Sequence, residues 1–339
     1  MVSRVERPTT LLGLGTALPP HRLTPEHAHE TLIELFPRLR PVTLPPVTRY
    51  TVLPLDVRGR SLGDAMDAYR TYAPELALRA AGSALLDAGV DAAEIDTLIT
   101  TSCTGYLVPA LDIDLIEGLG LREDVRRIPI TELGCSAGLA GLGIAHQHLQ
   151  PEGDGCALVV AVELASINLQ PQDRSIGNLT ATIVFGDGAG AAVVGRGEAP
   201  GRLVLRAVGT RVVPRSRHIL GFDLRDGGFH TVLDPGLARL LEGRLRDVVD
   251  GFWPRAAPAY WAVHAGGLRI FDAVEAALGL DPRALRPSLD VFMRTGNLSS
   301  ASILFVLQEI ARSEAAGEGL ALAFGPGVSI ELARLSRGP

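Results

Sequence analysis

The stretch Arg127-Ile128-Pro129-Ile130-Thr131-Glu132-Leu133-Gly134-Cys135-Ser136-Ala137-Gly138 reads as a short strand, a turn and the opening of a helix. A strand that feeds a helix through a tight turn is the building unit of an α/β fold. Outward from it the rhythm persists. Upstream, the patterns predict a strand at 9–18, a helix at 25–35 capped by Thr24 with Pro25 in its first turn, a proline-rich extended segment at 37–54 and a helix at 76–88 ended by Gly89. A strand at 95–101, a helix at 111–119 and a strand at 125–130 lead into the quoted turn. Downstream come a glycine-rich helix at 136–149, a strand at 157–163, and two apolar runs at 189–194 and 203–213 that read as neighbouring strands.

The second half repeats the scheme with a strand at 260–264, helices at 268–278 and 298–312, and strands at 320–324 and 328–335. Gly134-Cys135-Ser136 opens a helix in the first half as Gly296-Asn297-Leu298 does in the second, and Gly186-Asp187-Gly188 answers Gly325-Pro326-Gly327. The expectation is a duplicated α/β unit divided into halves 1–200 and 201–339.

A chain of 339 residues exceeds the roughly 250–300 at which one core stops growing, which agrees with two packed halves. Hydrophobic residues at 47% and charged ones at 21% describe a globular protein, neither disordered nor fibrous. The net charge of -6, with no basic run, argues against a nucleic-acid partner. All 32 basic residues are arginine. Without lysine, Schiff-base, pyridoxal and P-loop phosphate chemistry are excluded. Cys103, Cys135 and Cys156 are odd in number and unpaired in spacing, so neither a disulfide framework nor a metal site is expected. No apolar run reaches the roughly 18 residues of a membrane span, and the N-terminal run is too short for a signal peptide. The expected compartment is the cytoplasm, with no membrane partner.

Cys135 falls where a helix N-terminus stabilises a thiolate, the reactive form of cysteine. His264 ends a strand at its C-terminal side, where α/β sites gather. Asn297 precedes a helix start and reads, taken alone, equally as an N-cap. A thiolate can hold an acyl group as a thioester, and imidazole and carboxamide N–H groups suit an enolate or oxyanion.

Four segments carry a resemblance: Glu132-Leu133-Gly134-Cys135-Ser136-Ala137-Gly138, Trp261-Ala262-Val263-His264-Ala265-Gly266-Gly267, Gly296-Asn297-Leu298-Ser299-Ser300-Ala301 and Phe324-Gly325-Pro326-Gly327. In order and spacing they resemble the type III polyketide synthases of the chalcone synthase superfamily, over nearly the whole chain. Ser102-Cys103-Thr104-Gly105, Val108-Pro109 and Phe185-Gly186-Asp187-Gly188 look closest to the bacterial branch, including its tetrahydroxynaphthalene synthases.

The resemblance implies a thiolase-like fold, two pseudo-duplicated βαβαβαββ halves in αβαβα layers, assembled as a homodimer. It implies an acyltransferase that uses malonyl-CoA and an acyl-CoA (or malonyl-CoA) starter, with coenzyme A thioesters as substrates and no further cofactor. Iterative decarboxylative Claisen condensation would be followed by closure to a pyrone, resorcinol or hydroxynaphthalene. By resemblance Cys135 holds the chain, while His264 and Asn297 bind the malonyl carbonyl and stabilise the enolate. His264 would also keep Cys135 ionised as an ion pair. Phe185 and Phe229 resemble the gate between coenzyme A tunnel and cavity, Cys103 a cavity-lining position, and Val108 the residue whose loop reaches into the partner's cavity. Gly325, Pro326 and Gly327 would also contact substrate.

Ala265 and Leu268 stand where the family usually has prolines, and its phosphate-binding lysines are absent; Arg38, Arg40 and Arg49 are candidates by charge. The alternatives are a β-ketoacyl synthase of the fatty-acid initiation type and a non-catalytic acyl-CoA-binding subunit of the same fold.

Overall fold

A computed structural model describes residues 7–37, 44–55, 59–150, 155–254, 257–264 and 266–338. Strand β1 (Thr9–Ala17) leads through β2 (His21–Leu23) to α1 (Pro25–Leu35), where Thr24 Oγ1 accepts from His27 N. After β3 (Arg49–Thr51), α2 runs from Leu62 to Ala88, fourteen residues earlier than its expected start at 76. Ser61 caps it, and Pro74 lies inside it. Because proline lacks the N–H and crowds the preceding turn, the sequence pattern breaks there; burial of Tyr69 and Ala73 beside Leu76 and Ala77 carries the helix through. Gly89, in the left-handed region at φ 64, ends it.

Next come β4 (Ile95–Thr101), α3 (Asp112–Leu119), β5 (Arg126–Ile130), α4 (Ala137–His148) and β6 (Cys156–Leu164). Helix α5 (Ile176–Val184), which the sequence pattern did not signal, precedes β7 (Asp187–Arg196). The second half holds β8 (Leu203–Val212), the hairpin β9 (Leu220–Arg225) and β10 (Gly228–Leu233), α6 (Leu237–Glu242), α7 (Leu245–Phe252), β11 (Tyr260–Val263), α8 (Leu268–Leu278), α9 (Arg286–Thr295), α10 (Ser302–Arg312), β12 (Gly317–Gly325) and β13 (Ser329–Arg337).

Nine strands follow the order β11-β12-β13-β8-β1-β7-β6-β4-β5. The expected adjacency of β7 and β8 is replaced by an arrangement in which β1 lies between them. β1 pairs with β7 along its length but with β8 only at Thr9, Thr10 and Leu11, so the two groups of strands meet at a short corner. Before residue 200, β1, α2, β4, α3, β5, α4, β6 and β7 give the βαβαβαββ pattern. The later half supplies four strands to this sheet, with β9 and β10 paired apart from it, and among the described residues α9 passes to α10 without a strand between them. Helices α4 and α10 form the middle layer: α4 packs on β4 and β6 and also on β8, β12 and β13, while α10 packs on β1, β7 and β11. The middle layer therefore buries both of its faces, which is why α4 reads as apolar all round. Among the described residues no helix is long and apolar enough to cross a membrane.

The outer helix α2 comes unusually close to β1. A Cβ on Gly15 would lie 2.1 Å from Ala80 O and 2.4 Å from Ala84 N, both backbone atoms that cannot swing aside. A Cβ on Gly82, in the same helix, meets nothing within 4 Å. Gly15→Ala is therefore expected to lose about 1–3 kcal/mol of unfolding free energy. Gly82→Ala is expected to be neutral or to gain about 0.5–1 kcal/mol. Urea denaturation of the two variants measures the contrast.

Candidate active site

The turn Gly134–Ser136 bends the chain from β5 into α4 and holds Cys135 almost fully buried. Gly134 adopts φ 54, and a Cβ there would meet Pro326 Cδ at 2.6 Å, so this position needs glycine both for its backbone and for the approach of the Gly325-Pro326-Gly327 loop. That loop packs on Leu133 and Ser136 and is not part of the cavity wall.

His264 follows β11, its N–H donating to Leu322 O, with the imidazole 2% exposed. Asn297 is held in the turn between α9 and α10: its N–H donates to Val184 O, and its Oδ1 accepts from Ser299 N at 2.8 Å. Asn297 Nδ2 donates to Gly266 O at 3.2 Å, two residues after His264. Ser299, in the left-handed region at φ 48, hydrogen-bonds Cys135 by its side chain and lies 3.3 Å from Cys103 Sγ. A chain of contacts thus runs from Cys135 through Ser299 and Asn297 to the His264 loop. Ala265 lies outside the described residues.

Burial dominates the electrostatics. It pushes the Cys135 thiol up to about 12, with the charge of Glu163 adding to the rise and the Ser299 hydrogen bond opposing it. It holds His264 down at about 4, and no charged neighbour offsets that. Burial thus favours the neutral form of both groups and works against the Cys135–His264 ion pair that the resemblance implies. Among the described residues His264 Nδ1 is buried without a hydrogen-bond partner, so none of their carboxylates orients the ring as in a hydrolase triad.

Cys103 and Phe185 line a cavity, as does Phe229, whose ring meets Phe222 edge-on at 6.5 Å. Val108 is 81% exposed and stands outside that cavity. Arg49, expected by charge at the coenzyme A phosphates, is instead 3% exposed and lines the cavity, its Nη1 donating to the carbonyls of Thr182 and Phe185. Arg38 and Arg40 lie outside the described residues.

Sequence reading missed Glu163. It is the penultimate residue of β6, fully buried, and accepts from Cys103 N at 3.0 Å, Thr104 Oγ1 at 2.8 Å and Ser300 Oγ at 2.5 Å. Desolvation raises its carboxyl above the usual range, against these neutral donors, and it raises the Cys103 thiol in turn. Its one sequence signal was an acid inside an otherwise apolar strand. Among the described residues no three His, Cys, Asp or Glu side chains cluster as metal ligands.

Comparison with known proteins accounts for most of the chain. Residues 56–198 match the N-terminal domain of chalcone and stilbene synthases, and residues 205–337 match the C-terminal domain. A 1,3,6,8-tetrahydroxynaphthalene synthase of Streptomyces peucetius subsp. caesius is 37% identical over 98% of this chain and 94% of its own length. An alpha-pyrone synthesis polyketide synthase-like protein of Mycobacterium tuberculosis is 28% identical over 96% of this chain and 91% of its own. The crystal structure of the Streptomyces coelicolor A3(2) tetrahydroxynaphthalene synthase superposes with a TM-score of 0.86 at 30% identity, covering 97% of this chain and 99% of that one. These matches do not favour a fatty-acid initiation synthase. They agree with the thiolase-like layering of the fold, and the chain belongs to the chalcone and stilbene synthase family of type III polyketide synthases.

Proposed function

We propose that Cys135 carries the starter and the growing chain as a thioester while His264 and Asn297 drive decarboxylation of malonyl-CoA. The observation that supports this most directly is the contact chain from Cys135 through Ser299 and Asn297 to the His264 loop, beside a cavity walled by Cys103, Phe185 and Phe229. In loading, Cys135 Sγ attacks the acyl-CoA carbonyl; the new C–S bond replaces the old one, and coenzyme A leaves as its thiol with the proton that Cys135 gives up. In extension, the malonyl thioester oxygen takes N–H donors from a neutral imidazole and a carboxamide, the carboxylate departs as carbon dioxide, and the enolate charge falls on that oxygen. Neutral donors in a dry site stabilise such charge strongly because they need no reorganisation. The enolate carbon then attacks the Cys135 thioester, the C–S bond breaks, and the chain, longer by two carbons, leaves on coenzyme A for another round.

A high thiol pKa at rest fits a nucleophile that ionises only when substrate and imidazole close on it. The exposed Val108 and Tyr106, together with the outer edge of β5 at the end of the sheet, support a homodimer built on this face. Each half contributes to one site, the nucleophile from 1–200 and the donors from 201–339.

Incubation with malonyl-CoA and a panel of acyl-CoAs is expected to release carbon dioxide and yield polyketide; Cys135→Ala is expected to lower product by at least about 10³-fold, and product from that variant would end the proposal. The depressed His264 pKa makes the unfolded chain the better proton binder between pH 6.5 and about 4. Stability is therefore expected to fall with pH across that window, by about 3 kcal/mol in full, and the fall should be smaller in His264→Gln, as followed by chemical denaturation at stepped pH. Light scattering on a sizing column is expected to give twice the 35.8 kDa chain mass, and Val108→Asp to shift it toward the single-chain value.

A further inference from the structure

A two-stranded ribbon is marginal by itself and takes its place from what it is fastened to. The hairpin β9–β10 pairs with no other strand, yet it supplies Phe222, Phe229 and Thr231 to the cavity wall. Its base is held through the backbone, where Gly327 N donates to Leu220 O and Asp234 N to Ile219 O, both at 2.8 Å. Beyond the base, among the described residues, no backbone hydrogen bond joins 221–232 to the rest of the chain. Two side-chain ties do so, and both end on the turn between β6 and α5: Gln170 Nε2 donates to Gly227 O at 3.0 Å, and His230 Nδ1 stands 3.2 Å from Asp173 Oδ2.

That turn is bound to the opposite wall of the cavity. Asp173 N donates to Gln170 O at 3.1 Å, and Asn178 Nδ2, in α5, donates to the carbonyls of Gln170 and Asp173, each at 2.8 Å. Asn178 lines the cavity with Ala181 and Thr182 of the same helix. Asp173 Oδ1 accepts from Ser175 N at 2.8 Å, which leaves Oδ2 for the imidazole. Burial acts to raise the Asp173 carboxyl, but Ser175 and His230 together hold it below the usual range. An ionised carboxylate only accepts, so His230 Nδ1 carries the proton. The two side chains are 19% and 18% exposed, so little water competes for the bond. Strand alternation sends Phe229 and Thr231 to one face of the ribbon and His230 to the other, so the tie holds the outer face while the inner face closes the cavity. Beside it the backbones of α5 and β10 touch: a Cβ on Gly177 would lie 2.8 Å from Thr231 O.

We infer that Asp173 and His230 are positioning residues for chain extension, whose hydrogen bond fastens the hairpin to α5 and keeps the Phe229 wall closed over the growing chain. The inference rests on the polyketide synthase reading above and concerns what holds an intermediate in that site until extension is complete. A thioester waiting between rounds is open to hydrolysis, and a site that excludes water protects it. With the tie cut, the ribbon is held only at its base and by Gln170, and its wall parts from α5 more often. Water then gives its oxygen to the acyl carbon and a proton to the Cys135 sulfur, the C–S bond breaks, and a shortened acid leaves. Neither Asp173 nor His230 lines the cavity, so the loading of Cys135 is not slowed.

The test supplies malonyl-CoA with the acyl-CoA starter that the unmodified protein uses best, and follows two quantities: the rate of Cys135 acylation by intact-protein mass spectrometry, and the share of product released early as free acid. His230→Leu is expected to raise that share by about three- to tenfold while acylation stays within about twofold. His230→Asn, whose carboxamide nitrogen takes the place of Nδ1, is expected to bring the share back to within about twofold of the unmodified protein. Gln170→Leu cuts the second tie and is expected to raise early release as well, which keeps the test open where His230→Leu does not fold. An unchanged share in folded His230→Leu, or in Gln170→Leu where it stands in, overturns this inference alone, as does an equal rise in His230→Leu and His230→Asn. Failure of the unmodified protein to acylate Cys135 overturns the synthase reading and this inference with it.

Discussion

Two backbone turns pressed together at the centre of the molecule fix the position of everything in the site. A Cβ on Gly138 would fall 2.1 Å from Ser300 O, and one on Gly325 would fall 2.2 Å from Ser136 Oγ. The start of α4 and the turn before α10 therefore touch backbone to backbone, and only glycine permits it. A close-packed contact of this kind has one geometry. Because α4 and α10 each reach strands from both halves, the packing of the whole sheet bears on that contact. Ser299 carries the strain of the arrangement at φ 48, a conformation that a non-glycine residue keeps only where its surroundings demand it. Its amide holds Asn297 Oδ1 while its hydroxyl stands by the two thiols.

The same packing removes water, and the loss of water decides the charge state of the site. Cys135 and Cys103 are pushed toward thiol, His264 toward neutral imidazole and Glu163 toward the protonated acid, each by desolvation as the first cause. Arg49 keeps its charge, tied to carbonyl groups and acted on through space by the Asp187 carboxylate, with no ion pair of its own among the described residues. Bond dipoles thus do the work that a cation does elsewhere, in a chain that holds no lysine at all. In the reaction proposed above, a neutral imidazole would give an N–H to developing negative charge without first attracting the malonyl carboxylate, whose departure that reaction requires.

Much of this was readable from the sequence, for identifiable reasons. Strands β6 and β7 announced themselves because burial on both faces gives them long apolar runs, and the cysteine, histidine and asparagine because each sits at an element junction that glycine marks. Helix α2 was cut short at Pro74, a residue whose local preference the tertiary packing overrides. Helix α5 and the β9–β10 hairpin, which close the cavity, escaped because their residues are half-buried and follow no clean period. Charge alone sent Arg49 to the surface, whereas the space beside Gly186 and Gly296 draws it inside.

The parts that were missed share a physical property. A nucleophile or an oxyanion donor must sit where the backbone turns, so glycines and element ends betray it. A cavity wall is assembled from β3, the segments that follow β4 and β6, α5, the hairpin and Ser299, places distant in sequence whose side chains meet only in the fold. What draws Arg49 into that wall is not its charge but the space beside Gly186 and Gly296, and space is a property of three-dimensional neighbours. The reaction class is therefore written locally, in motifs of a few residues, while the shape of the cavity is written in contacts that only the fold brings together.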